Sequence, residues 1–513
     1  MAKAIMVQGT MSNSGKSFLT AGLCRVFKQD GYKVAPFKSQ NMALNSYITK
    51  EGLEIGRAQA MQAEACGIDP TADMNPILLK PTSNVGSQVI VNGEVRGNMK
   101  AMDYYKNKKQ LIPDVLTAYE RLSNEYDIIV IEGAGSPAEI NLHENDIVNM
   151  GMARMAKAPV LLVGDIDRGG VFAALYGTVK LLPEDEQAMI KGLVVNKFRG
   201  DVKILEPGLR MIEEKTDIPV VGVVPMERLD IDDEDSLSDR LEQTHKGAGL
   251  DVAVIRLPHI SNFTDFNIWE NIEGVSLRYV TRVYDLGSPD MIILPGTKNT
   301  IADLRWLRES GMEAAVLRCH TPGKYGSRAG RPGCVIWGIC GGYQMLGEQI
   351  IDESGVEEQS GSIRGLGLIP MTTYFHEEKS RKQVTGHMGA VTGIFAGLKG
   401  LEVTGYEIHM GQSIYETQPC RLVELTDTRT QESNEDGYAS DRVYGSYVHG
   451  IFDRHEIVET ILGALAQEKG IEAPSEHILD YCAYKETQYD RLAEELRNAI
   501  DMSRIYEIMD KGV

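Results

Sequence analysis

The sequence predicts an α/β protein: a doubly wound, mostly parallel first domain, then a second α/β domain and a helical tail. Through about residue 225, short apolar runs alternate with helical patterns. Several runs are apolar throughout, which is typical of parallel strands covered on both faces. The alternation resumes at Asp251. The predicted domains are therefore 1–228 and 251–455, with a linker at 229–250 and a helical segment at 456–513.

Composition excludes several classes of protein. Of the 513 residues, 42% are hydrophobic and 25% are charged, which is the balance of a folded globular chain. The formal net charge of −20 argues against broad binding of nucleic acid or anionic membranes, since both need a positive field. No apolar run approaches the ~18 residues that cross a bilayer. The N-terminal residues resemble a first strand more than a signal peptide.

The seven cysteines are irregularly spaced and include no CxxC pair. A reducing cytoplasm is the predicted location.

Each predicted element rests on a run of suitable residues. The strands of the first domain are predicted at Ala4–Val7, Lys33–Phe37, Asp127–Ile131, Pro159–Val163, Gly192–Val195 and Pro219–Val223, with helices that include Ser17–Gln29 and Asp114–Asn124. The later strands are predicted at Val252–Leu257, Met291–Leu294 and Cys334–Ile339, and near Gly365–Ile369 and Tyr444–Val448. The tail is predicted to be helical at Glu456–Gln467 and Gln488–Met502, and 321–331 to be a basic surface loop.

A phosphate-binding loop is predicted between the first strand and the first helix. Its backbone N–H groups would face phosphate oxygens, Lys16 would add a cation, and Ser17 would offer a hydroxyl to Mg²⁺. Thr10 stands where the GxxxxGK[ST] pattern has its first glycine, so the loop is a variant; the alternative is an ordinary strand–helix turn. The predicted ATP-binding residues of this loop are Gly9, Thr10, Asn13, Ser14, Gly15, Lys16 and Ser17.

Two later strand ends add to this predicted ATP site. Glu132 ends an apolar strand before a glycine-rich turn, where a carboxylate can hold Mg²⁺ directly or through water. Its alternative role is to cap that turn. Asn196 ends another strand, where its amide could contact an adenine edge.

A cysteine nucleophile is the sharpest prediction from the second half. Cys340 stands in Gly338-Ile339-Cys340-Gly341-Gly342, between an apolar strand and a helix. Small neighbours allow the sharp turn of a nucleophile elbow, and the helix N-terminus favours a thiolate. The N–H of Gly341 could stabilise an oxyanion, and the turn at Gly296 could supply a second N–H. A buried structural cysteine is the alternative.

A thiol nucleophile needs a base, and two histidines compete for that role. His449 follows a strand-like run and is preferred, while His409 remains the rival. Four spaced histidines raise the possibility of a metal site, but their spacing does not support one. They are His376, His387, His409 and His449.

These residues resemble known families. The Cys340 elbow, the Leu294-Pro295-Gly296 turn and His449 resemble class I glutamine amidotransferases, and the first half resembles dethiobiotin-synthetase-like P-loop ligases. The order of the two resembles the cobyric acid synthase family over nearly the whole chain. The segments that carry this likeness are Gln8–Ser17, Pro36–Met42, Gly164–Gly170, Asn196–Gly200 and Gly338–Gln344.

The resemblance implies ATP-dependent amidation of the b, d, e and g carboxylates of adenosylcobyrinic acid a,c-diamide, through acyl phosphates and glutamine-derived ammonia. It implies that Cys340 is the nucleophile, His449 its base and Gln344 a contact of the substrate glutamine. Most class I members carry an acid two residues after the histidine, but this chain has Ile451 there. A Cys–His dyad is therefore expected, and the group that orients His449 stays open.

Two other functions stay open at this stage. Cobyrinic acid a,c-diamide synthase has the same layout and makes two amidations, although Lys38–Met42 favours the four-amidation family. A P-loop ATPase switch with an inactive glutaminase-like module is the other, and intact Cys340 and His449 argue against it. The sequence leaves open the corrin-binding residues, the order of amidations, the path of ammonia and the oligomeric state.

Overall fold

The structure of the protein is a computed structural model. The structure describes residues 2–83, 86–227, 229–231, 249–270, 272–323, 332–357, 361–474 and 481–513. The chain forms two compact units. The first contains Met1–Ala43, Leu53–Glu234 and Tyr484–Val513, and the second contains Leu44–Gly52 and Asp235–Ala483. Each unit thus takes a segment from a distant part of the chain.

A six-stranded parallel sheet is the centre of the first unit. Alternate residues of its first strand face opposite layers, with Met6 in one apolar core and Ile5 and Val7 in the other. Both faces are covered, so the predicted doubly wound α/β class is confirmed. In spatial order the strands are Val220–Pro225, Ile190–Phe198, Val160–Asp165, Lys3–Gly9, Ile128–Glu132 and Val34–Phe37.

Helices cover both faces of this sheet. The last two helices of the chain pack in the same apolar core as Lys16–Gln29; for example, Leu492 and Leu496 lie in the core with Leu23. A side chain at Gly22 would clash with Leu496, so the two backbones approach closely there. Among the described residues, the α-helices of the unit are Lys16–Gln29, Arg57–Cys66, Ala101–Asn107, Ile112–Glu125, Met150–Ala156, Val171–Leu181, Glu184–Gln187, Val202–Thr216, Met502–Lys511 and, from Tyr484 onward, Tyr481–Ala499.

A second, four-stranded sheet of the first unit was not predicted from the sequence. Its order is Gln40–Met42, Ile77–Ser83, Gly86–Val91 and Glu94–Lys100. The last of these strands is mostly exposed and polar, so it lacks the apolar run that marks a buried strand.

The second unit contains another α/β sheet, whose first five strands in space are parallel. In spatial order its strands are Val275–Val280, Leu250–Ile255, Met291–Leu294, Val335–Ile339, Val443–Ser446 and the antiparallel Tyr438–Ser440. The helices are Asn267–Glu270, Val283–Leu286, Thr300–Glu309, Met312–His320, Gly341–Met345 and His455–Lys469.

A seven-stranded, mostly antiparallel sheet completes the second unit. Its strands are Gly361–Arg364, Gln349–Asp352, Met371–Met388, Glu402–Tyr415, Val448–His449, Val423–Asp427 and Ser433–Asp436. The predicted strand near Gly365–Ile369 is wrong, because these residues form bends whose apolar side chains, Leu366 and Ile369, fill the core.

Parts of two predicted features lie outside the described residues: most of the 229–250 linker and 324–331 of the basic loop. Among the helices in the described ranges, none has the length and apolarity needed to cross a membrane. Six cysteines of the described chain, including Cys340, are free thiols.

Candidate functional site

Cys340 occupies a sharp turn between the strand Val335–Ile339 and the helix Gly341–Met345. Its φ is +51° and its ψ is −111°, a backbone conformation that a non-glycine residue rarely adopts. Side chains at Gly341 or Gly342 would clash with Thr297 or with the backbone of Leu294. The glycines after the cysteine are therefore needed for this strained turn, which has the form of a nucleophile elbow.

His449 lies beside this turn and is held by Asp265, an acid that the sequence analysis did not identify. The expected Cys–His dyad therefore has a third member in the structure. Nδ1 of His449 is 2.7 Å from Oδ2 of Asp265, and the other carboxylate oxygen, Oδ1, accepts a hydrogen bond of 2.9 Å from the N–H of Gly450. The side chains of His449 and Asp265 are 1% and 3% exposed. The acid fixes the imidazole from the side of Nδ1 and leaves Nε2 for chemistry.

The surroundings of His449 raise its pKa. Burial by itself lowers the pKa, but the charge and hydrogen bond of Asp265, and after them those of Cys340, raise it to about 10. The imidazole therefore favours its protonated form inside the second unit. An imidazolium paired with a thiolate, with the thiol proton moved to the ring, is the arrangement that activates cysteine nucleophiles.

The geometry separates the two candidate bases. Cys340 is one of the groups that raise the pKa of His449, and a Cβ at Gly296 would lie only 2.9 Å from Cε1 of His449. The thiol of Cys340 itself donates to the carbonyl oxygen of Ile408 at 3.5 Å. His409 instead has its Nδ1 2.7 Å from the carbonyl oxygen of Gly411, and its ring stacks on Tyr447 at 3.7 Å between centroids. The structure thus brings together Cys340, His449 and Gly296.

Gln344 lies one turn after Cys340, and its backbone N–H donates to the Cys340 carbonyl at 3.0 Å. Its side chain accepts a hydrogen bond of 3.2 Å from the Thr300 hydroxyl and donates one of 3.3 Å to the Tyr447 hydroxyl. These two hydrogen bonds fix the buried side-chain amide of Gln344 next to the turn at Cys340.

The loop predicted to bind phosphate, in the first unit, has two residues with left-handed backbone. Asn13 and Gly15 have φ values of +59° and +90°. A side chain at Gly9 would clash with the Ser14 hydroxyl, which explains why a glycine stands before Thr10. The hydroxyls of Thr10 and Ser14 are buried without a hydrogen-bond partner in the structure. Such orphaned donors suit a loop that binds phosphate oxygens.

The side chains predicted to act on phosphate and Mg²⁺ lie next to this loop. The ammonium of Lys16 donates to the carbonyl oxygens of Met11 and Gly135 at 2.9 and 3.2 Å. The hydroxyl of Ser17 donates to Oε1 of Glu132 at 2.9 Å. These two hard oxygen donors lie close together at the strand end, so they fit a Mg²⁺ ion.

Glu132 has further partners that the sequence analysis did not identify. Lys38 forms a buried ion pair of 2.9 Å with Oε1, and Gln62 donates to Oε2. Both side chains come from segments far from Glu132 in the chain. In the described part of the chain, no group of three or more His, Cys, Asp or Glu residues is arranged to hold a metal.

Asn196 lies against the loop backbone. Its amide donates to the carbonyl oxygen of Ser14 at 2.8 Å, and a side chain at Gly15 would clash with that amide. Lys197 adds a second hydrogen bond, of 2.7 Å, to the carbonyl oxygen of Asn13. These contacts hold the loop in shape; a contact of Asn196 with adenine stays a prediction.

Comparisons with known proteins match both units. Residues 5–236 match the family described as "CobQ/CobB/MinD/ParA nucleotide binding domain", and residues 251–457 match the "CobB/CobQ-like glutamine amidotransferase domain". The chain is 57% identical to a cobyric acid synthase of Lachnoclostridium phytofermentans, with 100% of both chains covered. It is 55% identical to that of Ruminiclostridium cellulolyticum (100% and 98% covered) and 51% identical to that of Alkaliphilus metalliredigens (98% and 99%). The predicted resemblance is confirmed, and the chain belongs to the cobyric acid synthase family of glutamine amidotransferase ligases.

Proposed function

We propose that the enzyme releases ammonia from glutamine at Cys340 and uses it, with ATP, to amidate the b, d, e and g carboxylates of adenosylcobyrinic acid a,c-diamide. The product would be adenosylcobyric acid. The observation that carries this proposal is the strained Cys340 elbow beside the buried His449–Asp265 pair. The full-length likeness to enzymes named cobyric acid synthase supports four amidations over the two made by a diamide synthase.

The proposed glutaminase reaction begins at the sulfur of Cys340. The Cys340 sulfur attacks the side-chain amide carbon of glutamine, and the protonated His449 gives a proton to the departing ammonia. Water, deprotonated by the same imidazole, then attacks the thioester and releases glutamate. Gly341 and Gly296 would offer backbone N–H groups to the oxyanion, and Gln344 would contact the substrate glutamine.

The proposed synthetase reaction takes place at the loop predicted to bind the phosphates of ATP. Lys16 and the loop N–H groups would hold the phosphates of ATP, and Ser17 and Glu132 would hold Mg²⁺. The metal would neutralise phosphate charge during transfer. Each carboxylate would receive the terminal phosphoryl group, and ammonia would then displace phosphate from the acyl phosphate to leave an amide. Because Lys38 shares Glu132 with Ser17, it would balance the carboxylate charge.

The proposed partners are glutamine and a corrinoid polycarboxylate, with no nucleic acid or membrane, and the proposed location is the cytoplasm.

The test is to incubate the protein with ATP, Mg²⁺, glutamine and the corrin a,c-diamide, and to count the amide nitrogens in the product by mass spectrometry. Four new amides with four glutamates released support the proposal. If the protein leaves the a,c-diamide unchanged but adds two amides to cobyrinic acid, it is a diamide synthase. ATP hydrolysis with no glutamate release would show a non-amidating switch.

A further inference from the structure

A short segment from the first part of the sequence is built into the second unit. Leu44–Gly52 belongs to this unit, although the residues on either side of it belong to the first. Asn45 and Ser46 are fully buried. None of the chemistry proposed above uses these residues, so their burial beside the glutaminase residues requires a reason.

Asn45 and Ser46 form a reciprocal pair of hydrogen bonds with Asn262. The N–H of Asn262 donates to Oδ1 of Asn45 at 2.7 Å, and the N–H of Ser46 donates to Oδ1 of Asn262 at 3.0 Å. Asn262 is 2% exposed and has a φ of +52°. Asparagine tolerates this left-handed conformation better than most residues. We call this arrangement the asparagine clasp.

The asparagine clasp lies next to the acid that holds His449. The N–H of Asp265 donates to the carbonyl oxygen of Asn262 at 3.1 Å, so Asn262 begins the tight turn that carries Asp265. The carboxylate of Asp265 then contacts Nδ1 of His449. A shift of Asn262 would therefore change the position of the Asp265 carboxylate relative to the imidazole of His449.

The same segment contacts a second support of His449. The hydroxyl of Tyr406 donates to the carbonyl oxygen of Ser46 at 3.1 Å. The ring of Tyr406 stacks on the imidazole of His449, with 5.3 Å between centroids and 21° between planes. Tyr406 and His449 also face each other across paired strands. Two independent contacts thus lead from Ser46 and its neighbour Asn45 to the imidazole.

We propose that Asn45 and Ser46 are positioning residues for glutamine hydrolysis, acting through Asn262 and Tyr406 on the orientation of His449. The inference rests on the proposed function, since it assigns His449 the role of base. It adds that the glutaminase needs a segment that lies some two hundred residues before its own domain in the sequence. The alternative is that the segment only contributes stability.

Two substitutions of Asn262 separate the hydrogen bond from the backbone conformation. Asn262→Gly permits the positive φ but removes the acceptor for Ser46, and Asn262→Asp keeps both an oxygen at that position and tolerance of this φ. We expect Asn262→Gly to lower kcat for glutamine hydrolysis about tenfold or more, with a small change in KM, because a misplaced base slows the chemical step. We expect Asn262→Asp to restore most of the rate.

The pH profile distinguishes positioning from a loss of stability. If the clasp holds Asp265 on His449, Asn262→Gly moves the alkaline limb of kcat to lower pH, because a displaced carboxylate supports the imidazolium less. In the described part of the chain, Asp265 and Cys340 act on the pKa of His449, and the ring of Tyr406 stacks on its imidazole. An unchanged limb, with kcat reduced only in proportion to the folded fraction measured by circular dichroism, overturns the proposal.

Asn45→Ala tests the other half of the clasp, and Arg429→Ala is its matched control. Arg429 also binds the segment, at the carbonyl oxygen of Glu51, but its contact is exposed. We expect Asn45→Ala to lower glutamine-driven turnover while ammonia-driven amidation persists, and Arg429→Ala to change neither. Equal losses in both variants, or a wild-type rate for Asn45→Ala, overturn the proposal.

A Cys340→Ser variant that still hydrolyses glutamine would instead overturn the proposed function itself.

Discussion

Replacing Asp265 with Asn removes the negative charge beside His449 while keeping the size of the side chain. The carboxylate lies 2.7 Å from Nδ1 of the imidazole and is 3% exposed. At such a buried site the charge is poorly screened, so its removal acts fully on the imidazolium. The amide can still contact Nδ1, either as donor or as acceptor, and the donor form would fix the wrong tautomer.

The size of the effect follows from the pKa of His449. Its rise from the ordinary 6.5 to about 10, net of the opposing burial, corresponds to about 5 kcal/mol in favour of the imidazolium. Part of this comes from Cys340, which the substitution keeps. We therefore expect Asp265→Asn to lower kcat for glutamine hydrolysis by ~10²- to 10³-fold. The alkaline limb of the pH profile should move to lower pH, since a neutral neighbour no longer holds the proton.

The assay is glutamate release at saturating glutamine across a pH series. Glu186→Gln is the matched control, because Glu186 also contacts a histidine, His143, at 2.9 Å and is buried, but in the first unit. This control should leave glutamate release unchanged. Ammonia-driven amidation should survive in Asp265→Asn. A variant that retains wild-type kcat and an unmoved alkaline limb would refute the role of Asp265.

Four further outcomes are expected. Cys340→Ser should abolish glutamine-driven amidation but not amidation from ammonium salts, as product mass would show, because only ammonia release needs the thiolate. Lys16→Ala should lower both activities by ~10²-fold or more, measured as ADP formed, since a cation at the transferring phosphate is lost. His449→Ala should abolish glutamate release, whereas His409→Ala should leave much of it; the reverse result would exchange their roles. In the wild type, glutamate release should fall as pH rises through about 10, because the raised pKa of His449 keeps its proton below that value and loses it above.

The buried parts of the fold were the most predictable. All six apolar runs of the first domain are strands of one sheet, for example Lys3–Gly9 and Ile128–Glu132, because a strand covered on both faces is apolar at every position. The elbow at Cys340 was predictable for a related reason. The turn requires small residues at fixed positions next to Cys340, so the local sequence is enough to predict it.

Half-exposed strands were not predictable in this way. Met371–Met388 contains the exposed polar residues His376, Glu377 and Glu378, and its burial does not alternate regularly. Its pairing with Glu402–Tyr415 depends on partners that lie far along the chain. A window of local sequence therefore has no apolar period to detect.

The side chains that hold the site residues in position could not be predicted from the sequence either. Asp265 lies 184 residues before His449, so no local spacing links the two. The acid expected two residues after the histidine is replaced by Ile451, and the sequence alone left the orienting group open. Lys38 and Gln62 reach Glu132 in the same way, from separate elements. Folding, not spacing, brings these side chains together.

In the proposed reaction, ammonia released at Cys340 becomes the amide nitrogen of the corrin product. The most direct measurement uses glutamine isotopically labelled at its amide nitrogen, with ATP, Mg²⁺ and the a,c-diamide, and reads the mass of the product. The wild type should carry the label in all four new amides. Cys340→Ser, given labelled glutamine and unlabelled ammonium, should yield only unlabelled product. Label in the product of that variant would show that ammonia release does not require Cys340.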